Sequence, residues 1–263
     1  MTAQPLARGS TSRLAIGGQH GPVPHTLLGY GMEGTVLEHR DFFSRGSFAL
    51  VILNNTLPKE APILWELARV RVCADGGANR VYREMPSPAE RFVPDHIVGD
   101  LDSIEPNIRE IYASKGSEIL DMSSDQDSTD LHKCVSFLRD SSRGDEVERI
   151  VVLGALGGRF DHELGNLNVL FAFPGLRICL ASDENLVFLL RHGVLHEIRA
   201  RVGAHCGLVP LGERSQSSTT TGLRWNLDST AMAIGSLIST CNVVENEVVK
   251  VQSDVDLLWT MER

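Results

Sequence analysis

The feature that most constrains this chain is a series of short, uninterrupted apolar runs, each closed by Gly, Asp or Asn and followed by a stretch of helical period. Phe48-Ala49-Leu50-Val51-Ile52-Leu53 is ended by Asn54-Asn55. A strand without polar alternation is buried on both faces, which is the condition of a parallel sheet. Similar runs occupy residues 70–74, ended by Asp75-Gly76-Gly77, residues 97–98, ended by Gly99, residues 117–120, residues 149–153, ended by Gly154, and residues 176–180. Between them the spacing predicts helices over 61–70, 78–85, 106–114, 129–139 and 161–171. Pro106 suits a first helical turn, and Leu131, Val135 and Leu138 share one face. Alternating strands and helices define an α/β class with a doubly wound, mostly parallel sheet, and such sheets bind ligands at the carboxyl ends of their strands.

After about residue 182 helical period disappears. Short runs over 186–190, 195–198, 206–210, 222–227, 237–239, 247–251 and 257–259 stand between turn signals, and Thr219-Thr220-Thr221 favours extended backbone. The expectation is a smaller all-β sandwich, jelly-roll-like, with the boundary near Asp183. Residues 1–46 are rich in Gly, Ser, Thr, Pro and His and are expected to form a flexible extension. The expected organisation is therefore 1–46, 47–182 and 183–263.

Charge and composition narrow the function. With 25 Lys and Arg against 34 Asp and Glu, the net charge of −9 is the opposite of what a nucleic-acid binder presents. No apolar run is long enough to cross a bilayer. Five scattered cysteines with no C-x-x-C pair suit a reducing, cytoplasmic setting. Residues 1–32 carry Arg8 and Arg13 and no acid, a faint likeness to an organelle transit peptide that leaves targeting open beside the cytoplasmic reading.

Four acid-bearing segments follow predicted strands and so converge on one sheet edge: Asp75-Gly76-Gly77, Gly99-Asp100-Leu101-Asp102-Ser103, Asp125-Gln126-Asp127-Ser128-Thr129-Asp130 and Gly157-Gly158-Arg159-Phe160-Asp161. If strand geometry continues through them, Asp100 and Asp102 point the same way. Carboxylates that close repel unless a cation lies between them, and hard oxygen donors favour magnesium. A metal-loaded edge of this kind suits a polyphosphate. The glycines of Asp75-Gly76-Gly77-Ala78-Asn79 let backbone amides approach a phosphate or ribose, although a tight strand-to-helix turn explains them equally well. Arg159 after Gly157-Gly158 offers a fork for bidentate phosphate contact. Asp127 or Ser128 is expected to cap the helix that follows, with Lys133 pairing Asp130 one turn on. Gln126 suits a hydrogen bond to an amide-like or pyrimidine ring. Trp225 is either a stacking face or a core side chain. The Asp100-x-Asp102 pair also resembles that of aspartyl-phosphate hydrolases, but such enzymes have Thr where this chain has Ile104.

Taken together, these segments resemble thiamin pyrophosphokinase, in order, from about Phe48 to Met261. The likeness extends to Cys206-Gly207-Leu208-Val209-Pro210, to Thr219 through Leu227, to Ser239-Thr240-Cys241-Asn242 and to Leu257-Leu258-Trp259-Thr260, and is strongest to plant-like eukaryotic members. The resemblance implies a homodimer with shared active sites that moves a pyrophosphoryl group from ATP to thiamine with Mg2+. It implies Asp75, Asp100, Asp102 and Asp130 around the metal and phosphates, with Arg159 neutralising charge. Gly76, Gly77, Asn79, Gly157, Gly158 and Asp161 would serve the nucleotide. Gln126, Trp225, Ser239 and Asn242 would serve thiamine, Trp225 from the partner subunit. Two departures are Cys241, where the family usually has Ser, and His162, where animal members have Gln.

Overall fold

The computed structural model describes residues 47–86, 91–141 and 147–263, with the strand Thr35–Glu38 and residues 43 and 45. Six parallel strands form its centre: β2 (Phe48–Ile52), β3 (Val70–Ala74), β4 (His96–Gly99), β5 (Glu118–Asp121), β6 (Arg149–Leu153) and β7 (Ile178–Ala181). Their spatial order is β7-β6-β2-β3-β4-β5. The winding reverses between β2 and β6, which opens the crevice where such sheets take ligands. Every residue of β2 is buried, as its unbroken apolar run requires.

Five helices cover the two faces: α1 (Ala61–Leu67), α2 (Gly77–Glu84), α3 (Pro106–Ser114), α4 (Asp130–Asp140) and α5 (Phe160–Ala172). Trp65, Val81 and Ile108 bring α1, α2 and α3 into one core cluster with Phe48, Leu50 and Ile52. Leu131 and Val135 of α4 and Leu170 of α5 pack on the opposite face with Ala49, Val51 and Val152. Alternate residues of β2 thus feed two cores, the period-two consequence of a strand covered on both sides.

The remaining strands are β8 (Asn185–Leu190), β9 (His196–Arg199), β10 (His205–Val209), β11 (Ser215–Thr221), β12 (Thr230–Met232), β13 (Ser239–Val243), β14 (Val248–Ser253) and β15 (Leu257–Glu262). Four of them, in the order β8-β15-β10-β13, continue the large sheet antiparallel from β7, so that ten described strands share one sheet. Asp183 and Glu184 form the hairpin turn between β7 and β8, closed by the Ser182 N–H donating to Asn185 at 2.9 Å and tightened by the Ser182 hydroxyl accepting from the Asn185 amide at 3.0 Å. The loss of helical period after residue 182 therefore marks a change from parallel to antiparallel pairing, with ladder hydrogen bonds running through it.

The smaller sheet has the order β1-β9-β14-β11-β12, where β1 is Thr35–Glu38. Its Val249 and Val251 join Leu208, Leu257 and Trp259 in the same cluster as α1 to α3, so this sheet covers the large one on that face. Strand β1 falls within the expected flexible extension: instead it adds in parallel to β9, supplying ladder partners to an otherwise open edge. Residues 1–34 of that extension lie outside the described residues.

Two β expectations shift. Residues 222–227 form a loop, not a strand, because Gly222 has φ +86° and the Asn226 side chain accepts from the Leu223 amide at 3.0 Å, curling the chain locally. The strand is instead the serine- and threonine-rich β11, whose inward hydroxyls satisfy one another. Ser215 donates to Asp254 at 2.6 Å and Ser218 bonds Ser253 at 3.0 Å. Residues 237–239 likewise give way to β13, with Leu237 left exposed.

Candidate active site

At the reversal between β2 and β6 lies a cavity of about 520 Å³. The segments after β2, β3, β4, β5 and β6 all reach it, including Gly76, Asp100, Asp102, Asp130, Gly157, Gly158, Arg159 and Asp161 of the expected set.

The acidic wall is assembled by tertiary bonds. Asp75 follows β3 with φ +42°, a left-handed backbone uncommon outside glycine. The residue is 1 % exposed, and its carboxylate accepts the amides of Ser103 at 3.0 Å and Ile104 at 2.9 Å. Asn79 repeats the strap, donating to the Ser103 carbonyl at 2.9 Å and accepting from the Glu105 amide at 3.1 Å. Asp75 and Asn79 therefore stand behind the cavity wall and hold the 100–105 loop, rather than lining the space. Gly77 is fixed by close approach: a Cβ there would sit 2.1 Å from the Ile52 carbonyl oxygen.

Asp100 and Asp102 both reach the cavity, but not by strand alternation. Strand β4 stops at Gly99, and Leu101 at φ +61° turns the chain between the two acids. Lys133 is also placed differently. Its ammonium bonds Asp100, with no exposed side-chain surface, instead of pairing mainly with Asp130 as one-turn spacing predicts. The cap of α4 is Thr129, accepting from the His132 amide at 3.3 Å, rather than Asp127 or Ser128. Asp125 accepts from the Asp127 amide at 3.1 Å in a local turn.

Electrostatics follow from this crowding. Burial pushes the Asp130 carboxyl up, the charges of Asp75 and Asp100 add to the rise, and Lys133 opposes it. Burial also raises Asp75 against the pull of its two amides, with Asp102 adding to the rise. Across the cavity Arg159 is exposed and forks onto Asp161 at 3.1 and 2.5 Å, which lowers the Asp161 carboxyl to about 2. Four carboxylates against one lysine, all oxygen donors, fit a hard divalent cation in chemistry. Among the described residues, no three acidic, histidine or cysteine side chains close on one point to enclose it.

The glycine wall is tethered by residues that sequence reading took only as strand terminators. Asn55 donates to the carbonyls of Leu156 at 3.2 Å and Gly157 at 3.0 Å, and Glu163 accepts from the Gly157 amide at 3.2 Å. Asn54 lines the cavity and accepts from Arg80 at 3.1 Å. The signal for both is their position, immediately after the strand at which the winding reverses.

The residues expected at thiamine are elsewhere. Gln126 is exposed on the loop before α4 and donates to the Ser123 carbonyl at 2.7 Å. Trp225 is 59 % exposed, which excludes a core role. Buried Asn242 clasps it, accepting from the Trp225 amide at 3.2 Å while donating to its carbonyl at 2.8 Å and to the Ser239 hydroxyl at 3.1 Å. Neighbouring Cys241 adopts φ +57° at a bulge between β10 and β13, and its thiol is exposed. This loop lies beside β13, six strand positions from β2 in the same sheet. At 4.7–4.9 Å per strand that is roughly 28 Å.

Fold and site define a doubly wound α/β protein with an acid-walled, glycine-looped cleft of the kind that handles phosphate esters, extended by an antiparallel sandwich. Sequence comparison specifies it further. The thiamin pyrophosphokinase catalytic-domain model matches residues 61–180 and the vitamin B1 binding-domain model matches residues 195–258. Thiamine pyrophosphokinase 1 of Oryza sativa subsp. japonica is 56% identical over 229 residues, covering 82% of this chain and 87% of the relative. Thiamine pyrophosphokinase 2 of Arabidopsis thaliana is 50% identical over 228 residues, 81% and 85% of the two chains. The thiamin pyrophosphokinase structure from Candida albicans shares the fold at a TM-score of 0.76 and 24% identity, over 87% of this chain and 92% of that one. The chain belongs to the thiamin pyrophosphokinase family.

The raised Asp130 carboxyl makes a signed prediction. A carboxyl whose folded pKa lies above its unfolded value destabilises the fold when ionised, and the penalty fades as pH falls through the folded pKa. Asp130→Asn should therefore raise the thermal midpoint of the metal-free protein at neutral pH, and the gain should shrink on acidification. A midpoint lowered at neutral pH would contradict the crowding described.

Proposed function

We propose that this protein is a thiamine diphosphokinase: it transfers the terminal pyrophosphoryl group of ATP to the hydroxyethyl oxygen of thiamine, giving thiamine diphosphate and AMP. The observation that carries this is the acidic cleft at the sheet reversal, in a chain whose two halves match that family's catalytic and vitamin-binding models.

In this reading the thiamine oxygen bonds the β-phosphorus, the bridge to the α-phosphorus breaks, and AMP leaves with the bridging oxygen. Asp100, Asp102 and Asp130 would hold Mg2+, which neutralises phosphate charge when bound. A carboxylate of this wall takes the hydroxyl proton. Gly76, Gly157 and Gly158 admit the nucleotide phosphates, and Arg159 exchanges Asp161 for a phosphate oxygen. Asp75, Gly77 and Asn79 keep the acid loop in register, so the reacting atoms meet in line.

Thiamine is assigned to Trp225, presented by Asn242 and Ser239, with Gln126 at the pyrimidine side. Five to six strand positions, roughly 24–28 Å of sheet, separate Trp225 from the cleft of the same chain, which supports a platform supplied by a second copy and a homodimer with shared sites as the working unit. No helix among the described residues is long and apolar enough to cross a membrane, and the free cysteines suit a cytoplasmic setting.

Asp100→Asn and Asp102→Asn should abolish AMP formation, Asp102→Asn with the unfolding midpoint near wild type and Asp100→Asn with a lowered one, because the buried Lys133 ammonium loses its carboxylate partner. Ordinary turnover by either soluble variant at ordinary magnesium would sink the cleft as the catalytic centre.

Trp225→Ala tests the platform. A cation over tryptophan contributes roughly 0.5–2 kcal/mol, so thiamine affinity by calorimetry should fall by up to about thirtyfold. ATP affinity and the melting temperature should hardly move, because the ring is exposed. Unchanged thiamine affinity would remove Trp225 from the site.

A further inference from the structure

Lys133 lies on the first turn of α4 with no exposed side-chain surface, and its ammonium bonds Asp100. A lysine so deep is retained only where its charge is answered. Here the charge is directed into the acid cluster. Asp130 feels it together with the opposing charges of Asp75 and Asp100. Four aspartates contribute −4 and Lys133 +1, leaving −3. Lys133 itself stands behind the wall; among the described residues that line the cavity, Arg159 is the one permanent cation, and it is tied to Asp161. No three described metal-type side chains close on one point, so the cluster is not a finished metal cage.

We propose that Lys133 is a positioning residue that serves as a built-in cation: it fixes Asp100 and keeps free divalent metal from settling in the cluster, so that metal enters with the nucleotide phosphates. This rests on the function proposed above. The charge argument gives opposite signs for two ligands. Without the lysine the cluster is more negative, attracts a bare dication more strongly and repels ATP more strongly. A lysine needed only for stability would leave both affinities of the folded protein unchanged.

The test uses the full chain at pH 8 without thiamine, with Mn2+ alone as the metal probe and ATP with Mg2+ as the nucleotide probe, both by calorimetry. Lys133→Met should bind free Mn2+ roughly tenfold tighter and ATP roughly tenfold weaker than wild type, while Lys133→Arg stays near wild type on both. Unchanged affinities, or two that fall together, would overturn the proposal. If Lys133→Met does not fold, the wild type decides: it should bind Mn2+ alone no tighter than about 1 mM, and micromolar binding without nucleotide would overturn the proposal. The same preparation supplies the check on the underlying reading. AMP formation from ATP and thiamine with unaltered Lys133→Met affinities defeats this inference alone, whereas a wild type that forms no AMP defeats both.

Discussion

Like charge gathered at the carboxyl ends of β3 and β4 and at the start of α4 is the constraint to which the rest of the site answers. Asp75, Asp100, Asp102 and Asp130 repel one another, and burial makes the repulsion dearer. Three devices hold them together: two backbone amides on Asp75, the Asn79 strap on the same loop, and the buried Lys133 ammonium on Asp100. Each device lies on a different element, so the cleft exists only when α2, the 100–105 loop and α4 are docked on the sheet. A cleft built this way is poised for a cation and a polyanion together, which is what a phosphate-transfer reaction brings.

The sheet transmits that requirement across the whole chain. Ten described strands share one hydrogen-bonded surface, and one apolar cluster runs from Trp65 on α1 to Val249 in the smaller sheet. The antiparallel part is thereby joined to the cleft-bearing part by continuous ladders, and the Trp225 loop stands beside β13 at the far edge of that sheet.

Much of this was legible in the residues. The unbroken run at Phe48–Ile52 and the helical spacing between strands gave the winding, and the winding alone gathers the acid and glycine segments on one edge. Other features belong to tertiary structure. The partner of Lys133 is Asp100 because α4 packs on β4, with Leu131 and Cys134 against Val98, and Asp100 follows directly at the end of that strand; no local spacing records that. Asp100 and Asp102 share the cavity through the left-handed turn at Leu101, although strand alternation was the expected cause. Asn55 tethers the glycine loop across 101 and 102 residues of sequence. Strand β11 was legible only at its end, Thr219-Thr220-Thr221, because its buried serines, Ser215 and Ser218, satisfy one another and leave no apolar alternation to read. The continuity of the sheet through Asp183 was hidden because period reports how a strand is buried, not which strand it pairs with.

The central claim is a single transfer of two phosphates at this cleft, and the products report it most directly. Wild-type protein incubated with ATP, magnesium and thiamine, and followed by chromatography, should yield AMP and thiamine diphosphate in equal amounts from the first turnovers. Formation of ADP with thiamine monophosphate, or of free phosphate without any thiamine ester, would contradict the account.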